Sequence, residues 1–163
     1  MHGDVGVRPW LTPTYSSAKR YGRMGGSVEL KGDVWGRVME FATLLVNEHR
    51  TDRYWANYNA LKDYCEAQSL EGYDHPFLWE SLGDFTTSDD AAIPLYLRAL
   101  DMAKAEDARE YRVSIRFALA ERYRAIGKED VALEYAIAAD DEARLLSDLE
   151  LRRQISEFLL SRK

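Results

Sequence analysis

Residues 116–140, RFALAERYRAIGKEDVALEYAIAAD, predict two antiparallel helices joined by a short turn. Apolar residues recur at helical spacing on both sides of Gly127, and glycine is typical of the left-handed residue that follows a helix C-terminus. The residues concerned are Leu119, Ala120, Tyr123, Ala132, Tyr135 and Ala139. Alanine at such positions lets two helix axes approach closely. The stretch therefore predicts a tightly packed helical hairpin.

The same helical periodicity extends through most of the chain and predicts an all-α domain over residues 33–163. It indicates about seven helices and no strand. Six of the helices form three antiparallel pairs, because the connections within each pair are short. The pairs span residues 33–71, 74–105 and 107–146, and a closing helix follows at residues 147–161.

Residues 1–32 differ in composition from the rest of the chain and predict a separate basic arm. They hold six of the ten glycines, and their five basic and two acidic residues give a net charge of +3. The remainder carries 17 basic and 26 acidic residues, a net charge of −9. An acidic body argues against a surface that binds the phosphate backbone of nucleic acid. Contact with nucleic acid through the basic arm remains an alternative.

Cysteine use and hydropathy favour a cytoplasmic protein. Cys65 is the only cysteine, so the chain forms no internal disulfide, which suits a reducing compartment. The sequence contains no run of about 18 apolar residues, the length that a membrane-spanning helix needs. The N-terminus also lacks the pattern of a secretory signal peptide.

Residues 76–140 resemble the tetratricopeptide repeat, whose first helix carries Trp-x2-Leu-Gly-x2-Tyr and whose second carries alanine and aromatic residues at fixed spacing. The better-preserved unit supplies Leu119, Ala120, Tyr123, Ala132 and Ala139, and the other supplies Trp79, Leu82, Gly83, Ala92, Tyr96 and Ala99. The units depart from the pattern at Ala136, where an aromatic residue is expected, and in their turn lengths. The resemblance implies a short α-solenoid of stacked hairpins.

The resemblance also implies a concave groove lined by the first helix of each pair, and hence a non-enzymatic protein-binding module. The groove positions carried over from the family are Glu80, Asp84, Phe117, Glu121 and Arg124. Three of them are acidic and predict an acidic patch, so a protein or peptide partner of basic or mixed charge is expected. An adaptor, a chaperone and a toxin-neutralising partner all fit this description, and a homo-oligomer remains open.

An enzyme is the less favoured alternative, because the sequence shows no catalytic, metal-binding or cofactor-binding pattern. The three histidines, His2, His49 and His75, lack the spacing of a helical zinc site. Cys65 could act as a nucleophile only if it were exposed and His49 lay within hydrogen-bond reach as its base. A buried Cys65 that serves as a small apolar residue is the simpler prediction.

Overall fold

The computed structural model describes residues 29–161, and α-helices make up most of that segment. The helices are α1 (Gly32–Asn47), α2 (Thr51–Leu70), α3 (Pro76–Phe85), α4 (Asp89–Met102), α5 (Arg109–Ala125), α6 (Glu129–Ala143) and α7 (Leu149–Leu160). A single 3₁₀ turn, Glu106–Ala108, leads into α5, and residues 29–161 contain no strand. The prediction of an all-α fold is confirmed.

Two glycines end helices where the sequence predicts a turn. Gly72 and Gly127 have φ angles of +87° and +80°, which side chains other than glycine rarely adopt. After α5, the N–H of Lys128 donates to the carbonyl of Tyr123 at 2.9 Å, which is the bond expected of a glycine-terminated helix. The chain therefore reverses between α5 and α6.

Helices α5 and α6 pack closely because α6 presents alanines to its partner. Ala132, Ala136 and Ala139 are fully buried, and they lie at the spacing that keeps them on one face of the helix. The ring of Tyr123 on α5 stacks on the ring of Tyr135 on α6, with centroids 5.5 Å apart. Residue 136, where the repeat pattern predicts an aromatic ring, is a buried alanine.

Helices α3 and α4 approach each other closely at Gly83, the small residue that follows Trp79 and Leu82 in the sequence motif. A Cβ atom at Gly83 would lie 3.0 Å from the ring of Tyr96 on α4. The Tyr96 hydroxyl donates to Oδ1 of Asp84 at 2.6 Å, so the ring is fixed in place. A larger side chain at residue 83 would have to displace this ring.

The buried Arg122 side chain ties α5 to the turn between α3 and α4. Its guanidinium donates to the carbonyls of Gly83 and Thr86 at 3.2 and 2.9 Å, and to Oδ1 of Asp89 at 2.9 Å. Helix α2 also contacts this turn, because the Tyr54 hydroxyl donates a hydrogen bond to the carbonyl of Phe85 at 2.6 Å. A cation at the C-terminal carbonyls of α3 also interacts favourably with the helix dipole.

Helix α7 covers a smaller apolar cluster at the end of the chain. Its Leu151 and Ile155 pack with residues of α5 and α6, among them Val113 and Ala143. The opposite side of α7 is exposed and polar, with Arg153 paired to two glutamates on its own helix. No helix within residues 29–161 is both long enough and apolar enough to cross a membrane.

Candidate functional site

Three of the five groove side chains predicted from the sequence are buried. Glu80, Asp84 and Phe117 have exposed fractions of 0, 6 and 3%. Glu121 and Arg124 are partly buried. The prediction of an exposed acidic patch is therefore wrong for Glu80 and Asp84, which a partner could not reach on this surface.

The two buried carboxylates take part in hydrogen bonds between helices. The Ser114 hydroxyl of α5 donates to Oε1 of Glu80 on α3 at 2.5 Å, and Asp84 accepts from Tyr96 of α4. Buried polar groups are normally satisfied in this way, because an unmade hydrogen bond costs free energy. Both acids thus join neighbouring helices.

Phe117 and Arg124 contact the closing helix. The ring of Phe117 packs edge to face on that of Phe158 in α7, with centroids 5.7 Å apart. The Arg124 guanidinium lies 3.5 Å from the centroid of the Phe158 ring and donates to the Phe158 carbonyl at 3.0 Å. Arg124 also pairs with both carboxylate oxygens of Glu129, at 2.9 and 2.6 Å. These two side chains serve to dock α7.

The structure separates Cys65 from His49. Cys65 is fully buried on α2, and its thiol donates to the carbonyl of Leu78 at 3.5 Å. His49 is exposed in the connection before α2. Cys65 lies about 21 Å along the helix from its first residue, Thr51, at 1.5 Å per residue. The prediction of a buried Cys65 is confirmed, and the two groups do not form a nucleophile and base.

We expect the thiol of Cys65 to be unreactive in the native protein. Burial raises its pKa to about 12, so at pH 8 the thiolate is scarce and shielded from reagents. Labelling with Ellman's reagent should be slow at pH 8 and fast after unfolding in urea. Burial of the neutral thiol also makes the free energy of unfolding depend on pH. The contribution of Cys65 to stability is complete below pH 9, the pKa of the thiol in the unfolded chain, and is lost as the pH rises to about 12. Rapid labelling without denaturant would contradict this account.

The predicted basic arm lies mostly outside the part of the chain that the structure describes. Of residues 1–32, only residues 29–32 are described. Lys31 contacts Tyr73, which accepts from the Lys31 backbone N–H at 3.0 Å and has the Lys31 ammonium 4.5 Å from its ring centroid. Nucleic-acid contact through the arm therefore stays a prediction. Between residues 29 and 161, no three potential metal ligands lie together.

A cleft of about 280 Å³ lies between α4 and α5, on side chains that the sequence analysis did not single out. We call it the Arg116 cleft. It is lined by Leu97, Leu100, Asp101, Lys104, Arg112 and Arg116. Leu97 is 38% exposed, so the cleft offers apolar surface to a ligand. The lining therefore combines two leucines with four charged side chains.

The two arginines of the cleft have different surroundings. Arg112 donates from Nη1 to the carbonyls of Ala103 and Ala105 at 3.0 and 2.5 Å. Its Nε donates to both carboxylate oxygens of Glu142 on α6, at 3.1 and 3.0 Å. Nη1 of Arg116 lies 3.6 Å from the same carboxylate, beyond ordinary hydrogen-bond distance. Arg112 is therefore fixed by several short contacts, whereas the contact of Arg116 with Glu142 is longer.

The two repeat-like units of the sequence differ at the position of Arg116. Arg116 precedes Leu119 by the same three residues that separate Trp79 from Leu82. Trp79 is 2% exposed, and the guanidinium of Arg98 lies 3.5 Å from the centroid of one of its rings. The second unit thus has an arginine where the first has a packed indole. This difference between the units is the only feature of the sequence pattern that sets Arg116 apart.

No protein-family model matches this chain, and searches of curated proteins and of solved structures returned no match. The resemblance of residues 76–140 to tetratricopeptide repeats therefore stays a prediction from their sequence motifs.

Proposed function

We propose that this chain is a non-enzymatic protein-interaction module that binds a protein or peptide partner at the Arg116 cleft. The observation that carries the proposal is the cleft itself, which combines exposed apolar surface at Leu97 with charged side chains around it. Binding sites commonly pair an apolar floor with a few polar groups that fix the orientation of the ligand. In this proposal the helices are stacked as a short tetratricopeptide-like solenoid.

The burial of the predicted groove residues favours the cleft over the groove. Glu80 and Phe117 are buried, and Arg124 is held by α7, so those side chains serve the fold. At the cleft, Lys104 and Arg116 have side chains that are 76 and 26% exposed. A partner could contact these groups without displacing a helix.

The charge of the cleft favours a partner with both apolar and charged groups. One acidic and three basic side chains line the cleft beside the two leucines. Mixed charges of this kind give specificity and orientation to a complex. An adaptor, a chaperone or a toxin-neutralising partner would each use such a surface. We place the protein in the cytoplasm as part of this proposal, because a lone, buried Cys65 suits a reducing compartment.

A peptide library displayed with free C-termini tests this function. The purified chain should select a family of related peptides. Leu97→Glu should abolish their binding, because it introduces a charge into the apolar floor of the cleft. Leu44→Glu is the matched control, since Leu44 is 53% exposed on α1 and contributes nothing to the cleft lining. Equal selection by wild type and Leu97→Glu, or failure of the wild type to select any sequence, would contradict the proposal.

A further inference from the structure

We infer that His75 is a pH-sensitive helix cap, which holds the start of α3 in place only while its imidazole ring is neutral. The residue is 3% exposed and directly precedes Pro76, where α3 begins. Histidine is the side chain whose charge most readily changes near neutral pH, so a helix start that depends on it depends on pH as well. The inference goes beyond the proposed function and does not involve the Arg116 cleft.

The imidazole ring of His75 supplies the hydrogen-bond acceptor that caps α3. Its Nδ1 accepts from the backbone N–H of Phe77 at 3.0 Å. The first N–H groups of a helix have no acceptor within the helix, so a side chain that provides one stabilises the helix. Serine, threonine, asparagine and aspartate usually have this role, and their oxygens accept at neutral and at mildly acidic pH. At α3 the acceptor is instead a nitrogen that can take up a proton.

Protonation of His75 would turn this acceptor into a donor. In a neutral imidazole one nitrogen accepts while the other carries the proton, whereas both nitrogens of the cation donate. The Nδ1 of His75 and the backbone nitrogen of Phe77, 3.0 Å apart, would then be two donors facing each other. The positive end of the α3 dipole lies at the same point and also disfavours a cation. On protonation the ring must therefore leave this position, or the first turn of α3 must open.

Two tyrosine rings connect His75 to other parts of the fold. The ring of Tyr111, on α5, meets the imidazole edge to face with centroids 5.2 Å apart. The ring of Tyr73 lies nearly parallel to the imidazole at 6.1 Å, and its hydroxyl accepts from the backbone N–H of Lys31, just before α1. Movement of His75 would therefore loosen the contacts of α3 with α5 and with the segment that leads into α1.

Histidine is the side chain at this point that changes charge near neutral pH. The titratable and charged side chains in or next to the ring contacts are Lys31, Tyr73, Asp74, Glu110, Tyr111 and Arg112. The carboxylate of Asp74 accepts from the indole N–H of Trp79 at 3.1 Å and lies 3.5 Å from the guanidinium of Arg98. Of all these side-chain types, histidine alone ordinarily titrates between pH 7.5 and 5.5.

Hydrogen–deuterium exchange of the full chain at pH 7.5 and 5.5 tests the inference. After correction for the intrinsic exchange rates, a peptide that covers residues 73–85 should be about tenfold less protected at pH 5.5. This is the factor expected when a histidine with the ordinary pKa of about 6.5 binds its proton only in the open state. A peptide from α6 should keep its protection, because α6 does not contact His75 through any ring or hydrogen bond described above.

Two matched variants separate the cap from a general effect of acid. His75→Asn replaces the ring by one of the best N-cap side chains, whose oxygen accepts at both pH values. Protection of residues 73–85 in this variant should no longer depend on pH. His49→Asn is the control, since His49 is exposed before α2, and it should retain the full response of the wild type.

A titration of the wild type by NMR keeps the test decisive even where His75→Asn does not fold. The ring of His75 should remain neutral at pH 6, with its proton on Nε2, and become protonated only as the protection of α3 is lost. An imidazole that is protonated at pH 6 while α3 stays protected would overturn the inference. Equal pH responses of the wild type and His75→Asn, or no response in the wild type, would overturn it as well.

Discussion

Replacement of Arg122 by methionine is expected to lower the free energy of unfolding by about 3 kcal/mol or more. The substitution keeps most of the apolar volume but leaves the carbonyls of Gly83 and Thr86 without their donor, and Asp89 without its cation. Buried acceptors that lose their partners pay the full cost of desolvation. Because Arg122 is 6% exposed, water cannot replace the guanidinium without opening the structure.

Urea unfolding followed by circular dichroism measures this effect, and Arg153→Met is its control. Arg153 also pairs with two carboxylates, Glu150 and Glu157, but its side chain is 55% exposed on α7. Exposed ion pairs contribute little to stability, so the control should unfold near the wild-type midpoint. Similar destabilisation of both variants would show that Arg122 is not the link between α3, α4 and α5.

Replacement of Gly83 by valine is expected to destabilise the fold by about 3 kcal/mol, at the upper end of the range for overpacking. Its Cβ would lie 3.0 Å from the ring of Tyr96, and this ring is fully buried and bonded to Asp84. Neither the ring nor the backbone can move away cheaply. Gly83→Ala should also destabilise the protein, by a smaller amount, although alanine favours helix formation over glycine.

A second helical glycine provides the matched control for this substitution. Gly36 lies within α1, and a Cβ atom there would meet no other atom within 4 Å. Gly36→Ala should therefore stabilise the protein by about 0.5–1 kcal/mol, the ordinary preference of a helix for alanine. Thermal unfolding of the two alanine variants should move in opposite directions. Stabilisation by Gly83→Ala would contradict a close approach of α3 and α4.

The helices could be predicted from the sequence because their signals are local. Gly127 ends α5 by its left-handed conformation, and the alanines of α6 recur at the spacing that places them on one face. Pro76 opens α3, because the missing N–H of proline costs nothing in a first turn. Each of these signals depends on neighbouring residues alone, and the helices begin and end within about three residues of the predicted ranges.

The roles of charged residues could not be predicted in the same way, because burial is decided by distant parts of the chain. Glu80 and Asp84 are acidic residues of the kind usually found on an exposed helix face, yet both side chains are buried. Their burial depends on the placement of α3 among its neighbours, including the hydroxyl of Ser114. Arg122 likewise gains its role from a turn more than thirty residues away. Nothing in its own segment distinguishes it from Arg116, which lines the cleft.

The most direct test compares the cleft with the predicted groove as the binding surface. A peptide selected by the wild-type chain is titrated into Arg116→Trp and into Glu121→Lys. Tryptophan is the residue of the equivalent position, Trp79, and should fill the cleft while Glu142 keeps its contact with Arg112. We predict that Arg116→Trp abolishes binding and that Glu121→Lys binds as the wild type does. Loss of binding in Glu121→Lys, with Arg116→Trp unaffected, would contradict the account and place the partner in the groove.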